Sequence, residues 1–206
     1  MSATEPVRTA GRRTKWAFRA AFVVANVALV AVFVQQSLTS FTPSSSGPTS
    51  TTSHGALGTD DGYVPDGTTV FDDEIPAVAN LDAGLLTALR AAAKDAKGNG
   101  VEFVVNSGWR SRAYQEQLLD QAISKYGSRA EAARWVATPD TSPHVAGQAI
   151  DIGKAAAAWL AKHGARYGLC QIYDNEPWHY ELRPRAIEHG CPPRYADPTH
   201  DPRMQQ

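Results

Sequence analysis

Cysteine is almost missing from this chain. Only Cys170 and Cys191 occur in 206 residues, and neither sits in a C-x-x-C pair, which leaves little basis for a zinc-thiolate site. A large excess of either charge is missing too. The formal net charge is -1 and no basic block lies beyond the N-terminus, so nothing points to a nucleic-acid partner. No internal repeat is visible. With 43% hydrophobic content, the length suits one ordinary globular domain plus appendages.

Long apolar runs are also scarce, with one exception. Arg8, Arg12, Arg13, Lys15 and Arg19 cluster at or before a stretch from Ala20 to Val34 that only Asn26 interrupts. Counted from Trp16, the run approaches the ~20 residues a helix needs to cross a bilayer. It predicts an uncleaved signal anchor over 16–36, with 1–15 cytoplasmic and all that follows outside, since basic residues stay inside. A cleaved signal peptide is the first alternative, although no small-x-small site closes the run, and a buried core helix is the second. The expected location is the cell membrane, single-pass with the later domain extracytoplasmic, or secreted if the segment is cleaved. Residues 37–69 are rich in Ser, Thr, Pro and Gly and read as a flexible tether with a reach of order 30 Å. In an oxidising compartment Cys170 and Cys191 are expected to form a disulfide, two buried thiols being the alternative. That bridge would hold the shape of the segment carrying Glu176 and His179.

The rest predicts an α+β domain over 70–195 with a small antiparallel sheet, followed by a tail over 196–206. Asn80 can cap a helix from Leu81, with Leu81, Leu85, Leu86 and Leu89 on one face, stopped by Gly98 and Gly100. Residues 101–105 read as a short strand and Asn106-Ser107-Gly108 as a turn. A helix is expected from Arg112 to Lys125, behind Ser111 and closing at Gly127. Another starts at Ser128, with Glu131 completing a capping box, and ends before Pro139. Gln148–Ile152 reads as a strand, Ala155–His163 as a helix, and Leu169–Tyr173 with Trp178–Leu182 as a hairpin.

Chemistry concentrates in Ser142-Pro-His144-Val-Ala-Gly147-Gln-Ala-Ile-Asp151 and Glu176-Pro-Trp178-His179. Two histidines and one aspartate make the protein ligand set of a catalytic Zn2+, one per domain, whose fourth position is left to water. Glu176 is a spare carboxylate, placed to take a proton without binding the metal, so the residues point to metal-assisted hydrolysis of an amide. A bland alternative pairs Glu176 with Arg183. In Ser107-Gly108-Trp109-Arg110-Ser111 the arginine offers a fork suited to a carboxylate, and Gln115 lies one helical turn on. His163 suits a helix C-terminus, and His189 and His200 have no motif behind them. Trp135 and Trp159 are expected in the core.

Three blocks together, Ser-Gly-Trp-Arg-Ser-x-Ala-Tyr-Gln (107–115), Ser-x-His-x-x-Gly-x-Ala-x-Asp (142–151) and Glu-Pro-Trp-His (176–179), resemble the signatures of the VanY-type zinc D-Ala-D-Ala carboxypeptidases. That family belongs to the LAS group of peptidoglycan peptidases. The resemblance spans roughly residues 75 to 192. It implies a LAS or hedgehog-like fold with His144, Asp151 and His179 as zinc ligands and Glu176 as catalytic base. Arg110 would bind the substrate's terminal carboxylate or polarise the scissile carbonyl, with Gln115, Ser142 and Trp178 contacting the peptide. The family's usual tyrosine before that arginine is replaced by Trp109. The implied partners are peptidoglycan stem peptides and, through the N-terminal helix, the cytoplasmic membrane; no protein partner is implied. Two alternatives stay open: an L,D-carboxypeptidase or endopeptidase of the same fold, and a non-catalytic zinc-stabilised wall-binding module.

Overall fold

A computed structural model describes residues 57–205. The expected cytoplasmic segment 1–15, the anchor 16–36 and most of the tether lie outside the described residues. Among the described residues no helix is long and apolar enough to cross a membrane.

The sheet has four antiparallel strands, β1 (Val105–Ser107), β2 (Ala149–Ile152), β3 (Leu169–Gln171) and β4 (His179–Leu182), in the spatial order β1-β2-β4-β3. Side chains alternate across each strand. Ile150, Ile152 and Tyr180 therefore point into the main core, while Asp151, His179 and Glu181 share the opposite face. Helices cover the core face. Helix α1 (Pro76–Ala79) begins with proline at its first turn, where no amide hydrogen is needed. Helix α2 (Ala83–Lys97) sends Leu85, Leu89, Ala92 and Ala96 inward. Helix α3 (Arg112–Tyr126) is capped by Ser111 and closed by Gly127 in the left-handed conformation. After α4 (Arg129–Ala132), helix α5 (Lys154–His163) packs Trp159 edge-on against Phe103. Helix α6 (Ala186–His189) follows the sheet.

Several expectations shift. The cap of α2 is Asp82, whose Oδ1 accepts from Leu85 N at 3.0 Å, and Asn80 instead ends α1. Two capping residues lie two positions apart, and the tie from Asp82 N to Gly147 O at 2.8 Å selects the second. The strand expected over 101–105 starts four residues later, at Val105, and ends two later, at Ser107. Val104 makes only an isolated bridge to Thr69, whereas Val105 and Ser107 pair with Ile152 and Asp151 across a bulge. The helix expected from Ser128 to before Pro139 stops at Ala132, because the chain turns to carry Ala137's carbonyl to Gln115.

The domain also reaches beyond 70–195 at both ends. Ser111 N donates to Asp61 O at 2.8 Å, and Thr68 is buried, so residues 58–69, expected in the tether, pack with the domain. Residues 196–205 are no tail, for Asp197 and Asp201 are buried and their oxygens take hydrogen bonds from Arg134, Tyr173 and Arg203.

Cys170 on β3 is disulfide-bonded to Cys191. Closing a loop of this size restricts the unfolded chain and stabilises the fold by about 2–4 kcal/mol. The double substitution Cys170→Ala/Cys191→Ala is expected to lower unfolding free energy in urea by that amount; no change in the transition midpoint would contradict the role.

Candidate metal centre and substrate cleft

Asp151 and His179 are directly opposite in the β2–β4 register, so both side chains leave the sheet from one spot. His144 arrives from the loop ahead of β2, where Gly147 at φ 69° turns the chain. A Cβ on Gly147 would lie 2.5 Å from Asn80 O, so both the conformation and the close approach require glycine.

His144 Nδ1 sits 2.8 Å from Gly108 O. A carbonyl only accepts, so Nδ1 carries the proton and Nε2 turns its lone pair to the centre. His144 Nε2 is 3.3 Å from His179 Nδ1 and 3.4 Å from Asp151 Oδ1, and His179 Nδ1 is 3.1 Å from the same oxygen. A tetrahedral zinc site with bonds of about 2.0–2.1 Å has ligand–ligand edges of about 3.3–3.4 Å. The three atoms thus form one triangular face of such a site, and the residues fit the ion. Among the described residues this is the one His/Cys/Asp/Glu group that gathers so.

Burial and charge set the protonation of this cluster. Burial opposes Asp151's charge, yet the facing His144 and His179 hold its carboxyl well below the usual range. His144 is pushed down by burial first and by the Arg110 cation second. His179 goes the other way. Burial works against its charge, but hydrogen bonds to Asp151 and Glu181 prevail and push it up to about 9. A cation at the centre would take the place of its Nδ1 proton.

Glu176 Oε2 stands 3.8 Å from His179 Nδ1, beside the triangle but not part of it. Burial pushes its carboxyl up to about 7, Asp151's charge adding to the effect while His179 and Arg110 oppose it. The expected rival partner is engaged elsewhere, since Arg183 bonds Glu181 at 2.6 Å.

Arg110 reaches the centre through Asp151. Its Nη2 donates to Asp151 Oδ2 at 3.0 Å, its Nε to Ser107 Oγ at 2.8 Å and its Nη1 to Gln115 Oε1 at 3.1 Å. Of the five guanidinium N–H groups, three are used and two remain. Gln115 is engaged at both ends, because Nε2 donates to Ala137 O at 2.8 Å; it orients Arg110 before it could meet a ligand. Ser142 is 4% exposed, and its Oγ has no hydrogen-bond partner among the described residues. It faces a cavity of about 160 Å³ shared with Arg110, Trp135, His144 and Glu176. A second chamber of about 360 Å³, lined by Tyr63, Tyr114 and Trp178, meets the first at Arg110 and Asp151.

The tryptophans divide. Trp159 is core as expected, but Trp135 is 37% exposed and walls the cavity, stacked on Tyr126 at 5.8 Å, because α4 ends before reaching it. Trp178 is 39% exposed and borders both chambers. His163 packs on Trp159, His189 sits beside Glu188 and His200 bonds Asp197. Two residues escape the sequence reading. Glu181 holds His179 Nε2 at 3.2 Å, and its signal was present: it lies two residues from His179 on the same strand face. Arg203, which grips Glu181, carries no local signal.

Residues 79–185 match the VanY family, described as D-alanyl-D-alanine carboxypeptidase. A D-alanyl-D-alanine carboxypeptidase of Enterococcus faecalis is 30% identical, the match covering 53% of this chain and 52% of that protein, so this chain spans about half the length of that relative. Among solved structures, VanYB in complex with D-alanine-D-alanine is 29% identical with a TM-score of 0.49, covering 53% of this chain and 74% of that one. The LdcB LD-carboxypeptidase is 26% identical with a TM-score of 0.49, over 61% of this chain and 70% of that one. The family match takes in all three sequence blocks and every member of the metal triangle, and the chain belongs to the VanY family.

Proposed function

We propose that the domain is a Zn2+-dependent D-alanyl-D-alanine carboxypeptidase that removes the C-terminal D-alanine from peptidoglycan stem peptides. The observation that carries this reading is the triangle of His144 Nε2, Asp151 Oδ1 and His179 Nδ1, with the desolvated Glu176 carboxyl beside it. Those three atoms would hold the ion, which when bound supplies Lewis acidity to a carbonyl oxygen and to water. Glu176 accepts the proton of the attacking water and passes it to the departing amine, a role its raised affinity for protons suits. Arg110 presents its two remaining N–H groups to the substrate carboxylate or to the scissile carbonyl. Ser142 Oγ, buried and without a partner among the described residues, is free to hydrogen-bond a peptide in the cavity. Trp135 and Trp178 flank the peptide, and the walls limit competing water.

The second chamber favours one rival of the same chemistry. A cleft that continues past Arg110 towards Tyr63 and Tyr114 could admit chain on both sides of the scissile bond, as an endopeptidase requires. An L,D-carboxypeptidase would share the same machinery. A non-catalytic wall-binding module would call for a fourth protein ligand, and among the described residues only His144, Asp151 and His179 gather at the centre.

We also propose that the apolar run from Ala20 to Val34, behind its cluster of basic residues, anchors the chain in the cytoplasmic membrane with the domain outside. The full chain expressed in bacteria is then expected in the membrane pellet after alkaline carbonate extraction, and recovery in the soluble fraction would contradict the anchor.

For the activity, a stem pentapeptide ending in D-Ala-D-Ala incubated with the zinc-loaded chain is expected to lose one alanine by mass spectrometry. EDTA should abolish the loss and added zinc restore it. Glu176→Ala is expected to cost at least about 100-fold in kcat, the scale of a lost general base. Undiminished turnover by that variant sinks the mechanism. Equal cleavage of the C-terminally amidated peptide favours the endopeptidase.

A further inference from the structure

His179 is held by more than its strand. Its Nε2 lies 3.2 Å from Glu181 Oε1, and Glu181 is fully buried. Arg203 clasps that carboxylate with two nitrogens, Nη1 to Oε2 at 2.7 Å and Nη2 to Oε1 at 3.1 Å. A two-point grip across both oxygens fixes the plane of the carboxylate, whereas the single bond from Arg183 to Oε2 leaves it free to swing. Arg203 is itself fixed by buried Asp201, whose oxygens take its Nε at 3.0 and 3.1 Å and its backbone N–H at 3.0 Å. Asp201 also accepts from Tyr173 Oη at 3.0 Å, and the Tyr173 ring lies against His179, centroids 5.2 Å apart. The circuit His179–Glu181–Arg203–Asp201–Tyr173 closes on the ring where it began. Arg203 and Asp201 fall after residue 185, where the family match stops.

We propose that Arg203 is a positioning residue for the metal centre, acting through Glu181 to hold the His179 ring with Nδ1 turned to the ion. This rests on the metal reading given above. A carboxylate on the far nitrogen of a ligating histidine fixes its tautomer and orientation and raises its basicity; losing such a partner typically weakens metal affinity 10–100-fold. Arg203 sets where that carboxylate points. Once Arg203 is removed, the buried Glu181 can rotate toward Arg183, and the His179 ring loses its fixed orientation. The late segment 197–205 is thereby a working part of the site, not an appendage.

The test is zinc affinity of the full chain, measured by competition with a chromophoric chelator, for the parent, Arg203→Ala and Arg203→Lys. Near-UV circular dichroism of the metal-free proteins checks folding. Arg203→Ala is expected to weaken zinc binding by about 10-fold or more and to alter the visible spectrum of the Co2+-substituted protein. Arg203→Lys, which keeps the charge but loses the planar fork, should fall between the two. A folded Arg203→Ala protein with parental zinc affinity and cobalt spectrum overturns the proposal, even if its Tm has dropped. Should Arg203→Ala fail to fold, the lysine variant decides alone, and parental affinity there overturns the proposal. A parent that binds no zinc defeats the metal reading itself, a result distinct from the other two.

Discussion

The pairing of Asp151 with His179 across β2 and β4 is the constraint on which the rest of the site depends. Twenty-eight residues separate them in the chain, and only the antiparallel register makes them neighbours. A slip of one residue would exchange faces, burying a carboxylate among Leu85, Leu89 and Tyr180 and turning Ile150 or Ile152 to the cleft. The apolar face therefore enforces the polar one: the residues that must be buried decide where the ligands stand. From Asp151 the dependence spreads outward. Its second oxygen holds Arg110, Arg110 is steadied by Ser107 and Gln115, and Gln115 is tied to the loop at Ala137 that brings Trp135 to the cavity wall.

The cluster is a concentration of buried charge, and such groups do not in general stabilise a fold, since desolvation offsets much of their attraction. Stability comes from the main apolar core, from the disulfide and from the helix caps. What the charges provide is protonation states that differ within a few ångströms. Asp151's carboxyl is held well below the usual range by the facing histidines, His144 is pushed down by burial, and burial pushes Glu176 up to about 7. Removing one member would leave its partners buried without compensation, so the site should respond to substitution as a unit.

Local signals in the sequence carried most of the fold and the heart of the site. Ser111 and Gly127 bound α3 as expected because capping is a matter of a few adjacent residues. Residues 179–182 fall within the hairpin expected over 169–182, and strand alternation sets His179 on the face opposite Tyr180. Non-local effects were not legible. Asp82 prevailed over Asn80 as a cap through a bond to Gly147, 65 positions away. Trp135 looked like core on a helix that the chain abandons at Ala132. The segment 196–205 is polar and proline-rich, and so read as a tail; its order comes from ion pairs to Glu181 and Arg134 that no periodicity announces. The attachment of Arg110 to Asp151 has no local signal, since nothing in the spacing of 107–115 and 142–151 reveals which donor meets which oxygen.

The central claim is geometric, that one cation is held by three named atoms beside a carboxylate that does not bind it. Crystals of the protein grown with zinc, with anomalous diffraction recorded on both sides of the zinc absorption edge, test it directly. The account predicts one strong peak about 2.0–2.2 Å from His144 Nε2, His179 Nδ1 and Asp151 Oδ1, with Glu176 outside the coordination sphere. A peak elsewhere, coordination through the other nitrogen of His179, or a fourth protein ligand closing the site would contradict it.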